Sequence, residues 1–169
     1  LVSGPTALPT PAGVERVDVV TAAEMGSALG AAFDACDALV MTAAVADFRP
    51  VEVAAGKVSK EHAALSVELE RTEDLLVGLS SRRRANQVLV GFAMETGNLV
   101  ANARSKLARK GLDLVVANDL FVDGAGFGTP TNVVTLVGAV GEEPLPRLTK
   151  EEVADRILDR CLGLWGAVV

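Results

Sequence analysis

The sequence predicts an α/β layer fold built on a mainly parallel sheet. Three observations carry that prediction. Continuous apolar runs without polar alternation occur at Ala38-Leu39-Val40-Met41-Thr42, from Gln87 to Ala93 and from Asp113 to Ala117, the pattern of parallel strands covered on both faces. Segments with helix start and stop signals lie between and around them. The chain has 169 residues, half of them hydrophobic and 22% charged, enough for one sizeable core and far from the composition of disordered chains.

Leu1-Val2-Ser3-Gly4-Pro5 reads as the end of a strand already under way, without an initiator Met, so a first strand is expected upstream of Leu1. Val14 to Val20 is a short β-branched stretch, and Thr21-Ala22-Ala23-Glu24 is a capping box that opens a helix to about Ala35. After the apolar strand at 38–42, nothing regular is expected from Ala46 to Lys60. Leu65, Val67 and Leu69 alternate with Ser66, Glu68 and Glu70, predicting a half-exposed strand at the edge of the sheet. Thr72 is expected to cap a helix to about Arg84, with Glu73 and Asp74 at its positive end and Arg82-Arg83-Arg84 at its negative end. Asn98 is expected to cap a helix that Gly111 stops at Lys110. Beyond the strand at 113–117, a Gly-rich loop runs to Thr131 and a strand covers Val133 to Val140. A second capping box, Thr149-Lys150-Glu151-Glu152, opens a last helix to about Cys161. With no internal repeat and no linker, residues 1–169 are read as a single three-layer, Rossmann-like domain.

The net charge of −6 argues against a nucleic-acid binder, which shows a basic face. No apolar run reaches the 18 or so residues of a membrane-spanning helix, and no basic segment precedes an apolar one at the N-terminus. A cytoplasmic protein is expected. Cys36 and Cys161 stand apart from each other and from His62, which predicts buried thiols with neither a disulfide nor a metal site.

Parallel sheets bind ligands beyond the carboxyl ends of their strands, which directs attention to three loops. In Ala43-Ala44-Val45-Ala46-Asp47-Phe48-Arg49-Pro50, small residues let a ligand approach the backbone, and Asp47 could hold a ribose hydroxyl or a metal; the alternative is a tight packing turn. Lys57 and Lys60 sit in a segment poor in apolar anchors, either a flap over an anion or solvated surface. Phe92 either stacks on a base or is plain core, and Asn118 and Asp119 either bind substrate or form an Asx-turn. Phe127, Gly128 and Asn132 close a loop whose glycines can be simple turn formers. The helix from Asn98 to Lys110 holds Arg104, Lys106, Arg109 and Lys110 and no acid. Lys106 and Lys110 share a face, where like charges repel unless an anion lies between them. Phosphate-binding glycine loops and the nucleophile elbow are missing, so any enzyme here works by positioning and charge.

Taken in order, Ser3-Gly4-Pro5-Thr6, Arg16-Val17-Asp18-Val19, Ala43-Ala44-Val45-Ala46-Asp47-Phe48, Lys57-Val58-Ser59-Lys60, Gly91-Phe92-Ala93-Met94-Glu95-Thr96 and Lys106 to Asn118 resemble the phosphopantothenate-cysteine ligase domain of bacterial coenzyme A biosynthesis. The resemblance covers essentially the whole chain. It implies activation of the 4′-phosphopantothenate carboxylate by CTP and Mg²⁺ as an acyl-cytidylate, then displacement of CMP by the amine of L-cysteine. It implies nucleotide contacts from Asp47, Lys57, Phe92, Lys106 and Lys110, beside the small residues Ala43 and Ala44, with Glu73, Asp74, Leu75 and Leu76 near the base. Lys57 and Asn118 stand as catalytic candidates. A homodimer and a fused flavin-dependent decarboxylase domain are further implications. This chain departs from the family where Ser59 interrupts the basic flap and where Thr72-Glu73-Asp74 replaces Asn-Pro-Asp. Upstream of Leu1 the family carries its first strand and an Asn-containing segment. A flavin- or dinucleotide-binding module of similar layering is the alternative reading.

Overall fold

The structure is a computed structural model and describes residues 1–57, 66–95, 97–119, 122, 124–126 and 128–166. Expectations for Ser59, Lys60, His62, Leu65, Thr96 and Phe127 lie outside the described residues. In chain order the elements are β1 (Val2–Ser3), β2 (Val17–Asp18), α1 (Ala22–Phe33), β3 (Ala38–Met41), β4 (Phe48–Pro50), β5 (Leu69–Arg71) and α2 (Leu75–Ser80). There follow β6 (Val88–Glu95), α3 (Leu99–Lys110), β7 (Leu114–Asp119), β8 (Thr131–Asn132), β9 (Val134–Gly138), β10 (Glu142–Pro144), β11 (Leu148–Thr149) and α4 (Lys150–Gly166).

The central sheet has the order β10-β9-β7-β6-β3. β3 pairs parallel with β6 and β6 with β7, while β9 runs antiparallel to β7 and β10 antiparallel to β9. All its strands but β9 therefore point the same way, as the apolar runs predict. Side-chain alternation splits the core into two layers. Leu89, Ala93, Val115 and Ala117 pack on one face with Phe33, Leu76, Leu79 and Ala103 from α1, α2 and α3. Val88, Val90, Leu114 and Val116 pack on the other with Val153, Ile157 and Cys161 of α4. Leu89, Val90, Leu114, Val115 and Val116 have no exposed surface, each burial contributing about 1.5–3 kcal/mol of transfer free energy. Gly91 permits the closest approach, since a Cβ there would stand 2.8 Å from Leu112 Cδ1.

The two capping boxes form as the sequence predicts. Thr21 and Glu24 exchange bonds at the start of α1, and Thr149 and Glu152 do so at the start of α4. Gly111 ends α3 at φ 61°, a conformation that favours glycine. α4 runs past Cys161 to Gly166, and Cys36 is only half-buried whereas Cys161 is buried.

Several expectations need correction. β3 is an edge strand with Ala38 exposed and Leu39, Val40 and Met41 only partly buried, so its apolar run is not covered as in an interior strand. A small cavity of about 310 Å³ is lined by β3 together with Leu1 and Val2, and among the described residues β1 pairs only with β2. The alternating stretch around Leu69 does not edge the sheet. It forms β5, which pairs antiparallel with β4 in a separate exposed ribbon; β4, inside the segment expected to be irregular, owes its strand character to that pairing. β10 and β11 also went unread, each being two or three residues long.

Asp74, not Thr72, caps α2, accepting from Val77 N at 3.4 Å. The helix then stops at Ser80, where the Ser80 and Ser81 hydroxyls donate to the Val77 and Gly78 carbonyls and satisfy carbonyls that another turn would have used. The arginine triplet is thus not a helix terminus. Arg82 donates to Gly30 O at 2.7 Å and lies 5.6 Å from the Phe33 ring centroid, Arg83 grips the Asp113 carboxylate at 2.9 and 3.0 Å, and Arg84 donates to Cys36 O at 2.9 Å. Asn98 precedes α3 with φ 50° and makes no side-chain cap; Asn102 Nδ2 instead donates to Gly97 O at 3.1 Å.

Candidate functional site

The carboxyl ends of β3, β6 and β7 open into a cavity of about 680 Å³, where a parallel sheet places its ligand. Ala43, Ala44 and Asp47 line it from the loop that leaves β3, Phe92 from β6 and Asn118 from the end of β7. Glu73, Asp74, Leu75 and Leu76 line it from the β5–α2 turn and the start of α2, and Lys106 and Lys110 from α3. Lys57 is not in its wall and is exposed at the end of a described segment, and Arg104, Arg109 and Gly128 also lie outside the wall.

Thr72 locks the loop after β3. Its backbone N–H donates to Asp47 O at 3.0 Å and its hydroxyl to Ala46 O. Two residues on, Asp74 ties the same turn to α3 through Lys110 Nζ, 2.8 Å from Asp74 Oδ2, with 16% of the lysine side chain and 44% of the aspartate exposed. Burial pushes the Asp74 carboxyl up, but its bonds to Lys110 and to the Val77 and Leu76 backbone outweigh that and hold it below its ordinary value.

Lys106 Nζ donates to the Phe92 carbonyl, which brings its charge over the carboxyl-terminal half of β6. Arg104 turns away to Glu142 Oε2 at 2.7 Å. The acid-free helix therefore finds its counter-charges on other elements, Asp74 on the α2 turn and Glu142 on β10. Phe92 is half-buried, packed on the α4 side of the sheet while lining the cavity, so packing and exposure to a ligand coexist in one ring.

Asn118 is 5% exposed and shares its face of the sheet with Val116 and Val134. It lines the cavity, and no buried side-chain nitrogen or oxygen among the described residues lacks a hydrogen-bond partner. The α4 residues Lys150, Val153, Ala154, Ile157 and Leu158 also line the cavity, and none of them is singled out as a site residue by the sequence. Thr72 and Lys150 read as helix starts, and only tertiary structure brings the beginning of α4 across the sheet from α3.

The arrangement suits a polyanion with an uncharged moiety, having two placed ammonium groups on one side, a carboxylate at Asp47 and backbone accessible beside alanines. No group of three or more His, Cys, Asp or Glu able to hold a metal occurs among the described residues. No described helix is long and apolar enough to cross a membrane.

Comparison with known proteins matches residues 1–164 to the DNA/pantothenate metabolism flavoprotein C-terminal domain. The coenzyme A biosynthesis bifunctional protein CoaBC of Bacillus subtilis is 43% identical over 97% of this chain and 41% of its own length. CoaBC of Escherichia coli K12 is 38% identical over 94% of the chain and 40% of its own. The chain thus spans about two fifths of the curated relatives it matches. The solved C-terminal domain of a CoaBC superposes with TM-score 0.77 at 39% identity, covering 94% of this chain and 70% of that one. A flavoprotein structure from Streptococcus pneumoniae, at TM-score 0.79 and 19% identity over 96% of this chain and 79% of that one, shares the fold. Sheet order, the cavity at the strand ends and these identities converge: the chain belongs to the DNA/pantothenate metabolism flavoprotein C-terminal domain family.

Proposed function

We propose that residues 1–169 act as a phosphopantothenate-cysteine ligase domain, joining 4′-phosphopantothenate to L-cysteine at the expense of CTP. The observation that carries this reading is the cavity wall itself, where Asp47, Phe92, Lys106 and Lys110, far apart in sequence, line one space. In the proposed reaction the pantothenate carboxylate attacks the α-phosphorus of CTP, and the bond to pyrophosphate breaks. The cysteine amine then attacks the acyl carbon, loses a proton and expels CMP. Both steps need charge neutralisation and orientation more than a covalent nucleophile on the protein. Lys106 and Lys110 hold the triphosphate, the Ala43–Ala44 backbone and the Glu73–Leu76 turn border the base, and Phe92 packs against it. Lys57 enters from the flap, and Asn118 contacts the reacting groups.

Magnesium binds mainly through phosphate oxygens with one or two carboxylates. Asp47 fits that role, because its carboxylate lines the cavity and makes no ion pair among the described residues. Such an ion would screen the triphosphate during displacement.

A homodimer is part of the same proposal, supported by the exposed apolar side chains Phe48, Val51, Val53, Val67 and Leu69 on and beside the β4–β5 ribbon. So is fusion or association with a flavin-dependent decarboxylase domain, since the matched relatives are bifunctional and more than twice as long. Parallel calorimetric titrations with Mg-CTP, Mg-ATP and NADPH test the reading. Selective CTP binding is expected; preference for NADPH, or a yellow protein carrying flavin, would replace it with the dinucleotide or flavin reading.

A further inference from the structure

We propose that Asp74 is an internal competitor for Lys110: its carboxylate holds the ammonium that an incoming polyphosphate needs, so binding replaces one anion by another. The inference rests on the ligase reading and adds to it an autoinhibitory contact in the nucleotide cavity.

The first observation is which partner is fixed and which can move. Asp74 is the N-cap of α2, where its Oδ1 accepts from Val77 N at 3.4 Å. Thr72, two residues before it, is tied to Asp47 O through its backbone N–H at 3.0 Å. A short side chain on a tied turn has little freedom. Lys110 is the last residue of α3, before the C-cap Gly111, and reaches Asp74 Oδ2 at 2.8 Å with 16% of its side chain exposed. Its ammonium carries three donors on a flexible four-carbon stem, so the lysine is the partner able to turn to a ligand. Both residues line the cavity. An anion entering there meets the carboxylate and the ammonium together.

The second observation is the charge of the wall. Among the described residues it carries Asp47, Glu73 and Asp74 against Lys106, Lys110 and Lys150, so acids and bases balance. Such a wall has no surplus of positive charge to draw in a polyanion. Of these acids Asp74 is the one in an ion pair with a wall lysine. Burial pushes its carboxyl up, but Lys110 and the Val77 and Leu76 N–H groups outweigh that and hold it below its ordinary value, so at neutral pH it competes as a full negative charge. A triphosphate carries more charge than one carboxylate and can win the ammonium, whereas a neutral ligand gains nothing by displacing it. Once pyrophosphate leaves, Asp74 recovers Lys110, which lowers the affinity for what remains of the nucleotide.

Asp74→Asn, Lys110→Met and the double variant are titrated calorimetrically with Mg-CTP and with sodium tripolyphosphate. Asn caps a helix as well as Asp does and keeps an oxygen acceptor for Lys110, so the substitution removes the charge and retains the turn. It is expected to tighten both ligands about five- to tenfold, because a neutral bond to Lys110 replaces a charge-assisted one. With Lys110→Met already present, the gain is expected to fall to about twofold or less. Unchanged or weaker binding in Asp74→Asn overturns the competition, because Asp74 would then only position Lys110 or satisfy its ammonium. An equal gain with and without Lys110 overturns it too, because the carboxylate would then act on the ligand directly. If the unaltered chain binds tripolyphosphate and not Mg-CTP, the ligase reading falls, while tighter tripolyphosphate binding in Asp74→Asn still upholds the competitor. A chain that binds neither overturns both.

Discussion

Replacing Lys106 with Met separates the triphosphate from the rest of the nucleotide. The ammonium is held over the carboxyl-terminal half of β6 by the Phe92 carbonyl, so it meets a ligand already placed. A charge-assisted bond to phosphate is worth about 1.5–3 kcal/mol. The relief of repulsion from Lys110, one helical turn away, returns only about 0.2–0.5 kcal/mol. Attraction wins, and at about 1.4 kcal/mol per decade the variant should bind Mg-CTP roughly 5- to 100-fold more weakly. CMP, lacking the outer phosphates, should change by less than about threefold on the same argument. Calorimetry with both ligands at two salt concentrations makes the comparison, and the salt dependence of CTP binding should flatten with one cation removed. Loss of the Phe92 carbonyl's partner should also lower stability by about 1 kcal/mol, a melting shift of about 2–4 °C. Equal losses for CTP and CMP would refute the reasoning, because Lys106 would then be acting on the nucleoside or on the fold.

Arg83→Met should cost about 1–2 kcal/mol in a denaturant melt, since it strips the bidentate partner from an Asp113 that also accepts from Leu89 N at 2.8 Å; an unchanged midpoint would show the pair to be ornamental. Lys110→Met should raise the Asp74 pKa toward its ordinary value in an NMR titration. The wild-type carboxyl is held low in the folded state, so its contribution is present above the ordinary carboxylate range and fades as pH falls through the folded pKa; an unmoved Asp74 titration contradicts the ion pair. Thr72→Val keeps the shape but removes the hydroxyl bond to Ala46 O. It should lower CTP affinity and cost about 1 kcal/mol of stability, with Thr72→Ser restoring both; no rescue by Ser would mean that the methyl, not the hydroxyl, matters.

The fold was legible wherever the signal is local. Thr21 with Glu24, Thr149 with Glu152, and Gly111 each announce a helix boundary through bonds made within four residues. The interior strands β6 and β7 announce themselves because both faces are covered. β4 and β10 were invisible for the converse reason: three exposed residues acquire strand character only from partners at Leu69–Arg71 and Thr135–Val137. The arginine triplet misled because a helix C-terminus and three separate ties to Gly30, Asp113 and Cys36 ask for the same side chain. Sequence spacing cannot distinguish a dipole partner from a long-range one.

The cavity was legible in part for a similar reason. Small residues and polar residues at strand ends point to the right loops, because strand direction fixes which end is open. The pairing of charges inside it was not legible. Lys106 and Lys110 looked like neighbours needing a foreign anion between them, yet one is held by a carbonyl 14 residues away and the other by Asp74 from a different helix. That changes what the cations imply. Two unpaired ammonium groups would be disordered before a ligand arrives, and binding would have to freeze both, at up to about 2 kcal/mol of rotamer entropy for each lysine. Held by internal acceptors, they are ordered in advance. An incoming phosphate then exchanges one acceptor for another, so specificity rests on charge: a ligand must out-compete the Asp74 carboxylate for Lys110, which a polyphosphate does more readily than a neutral or singly charged group.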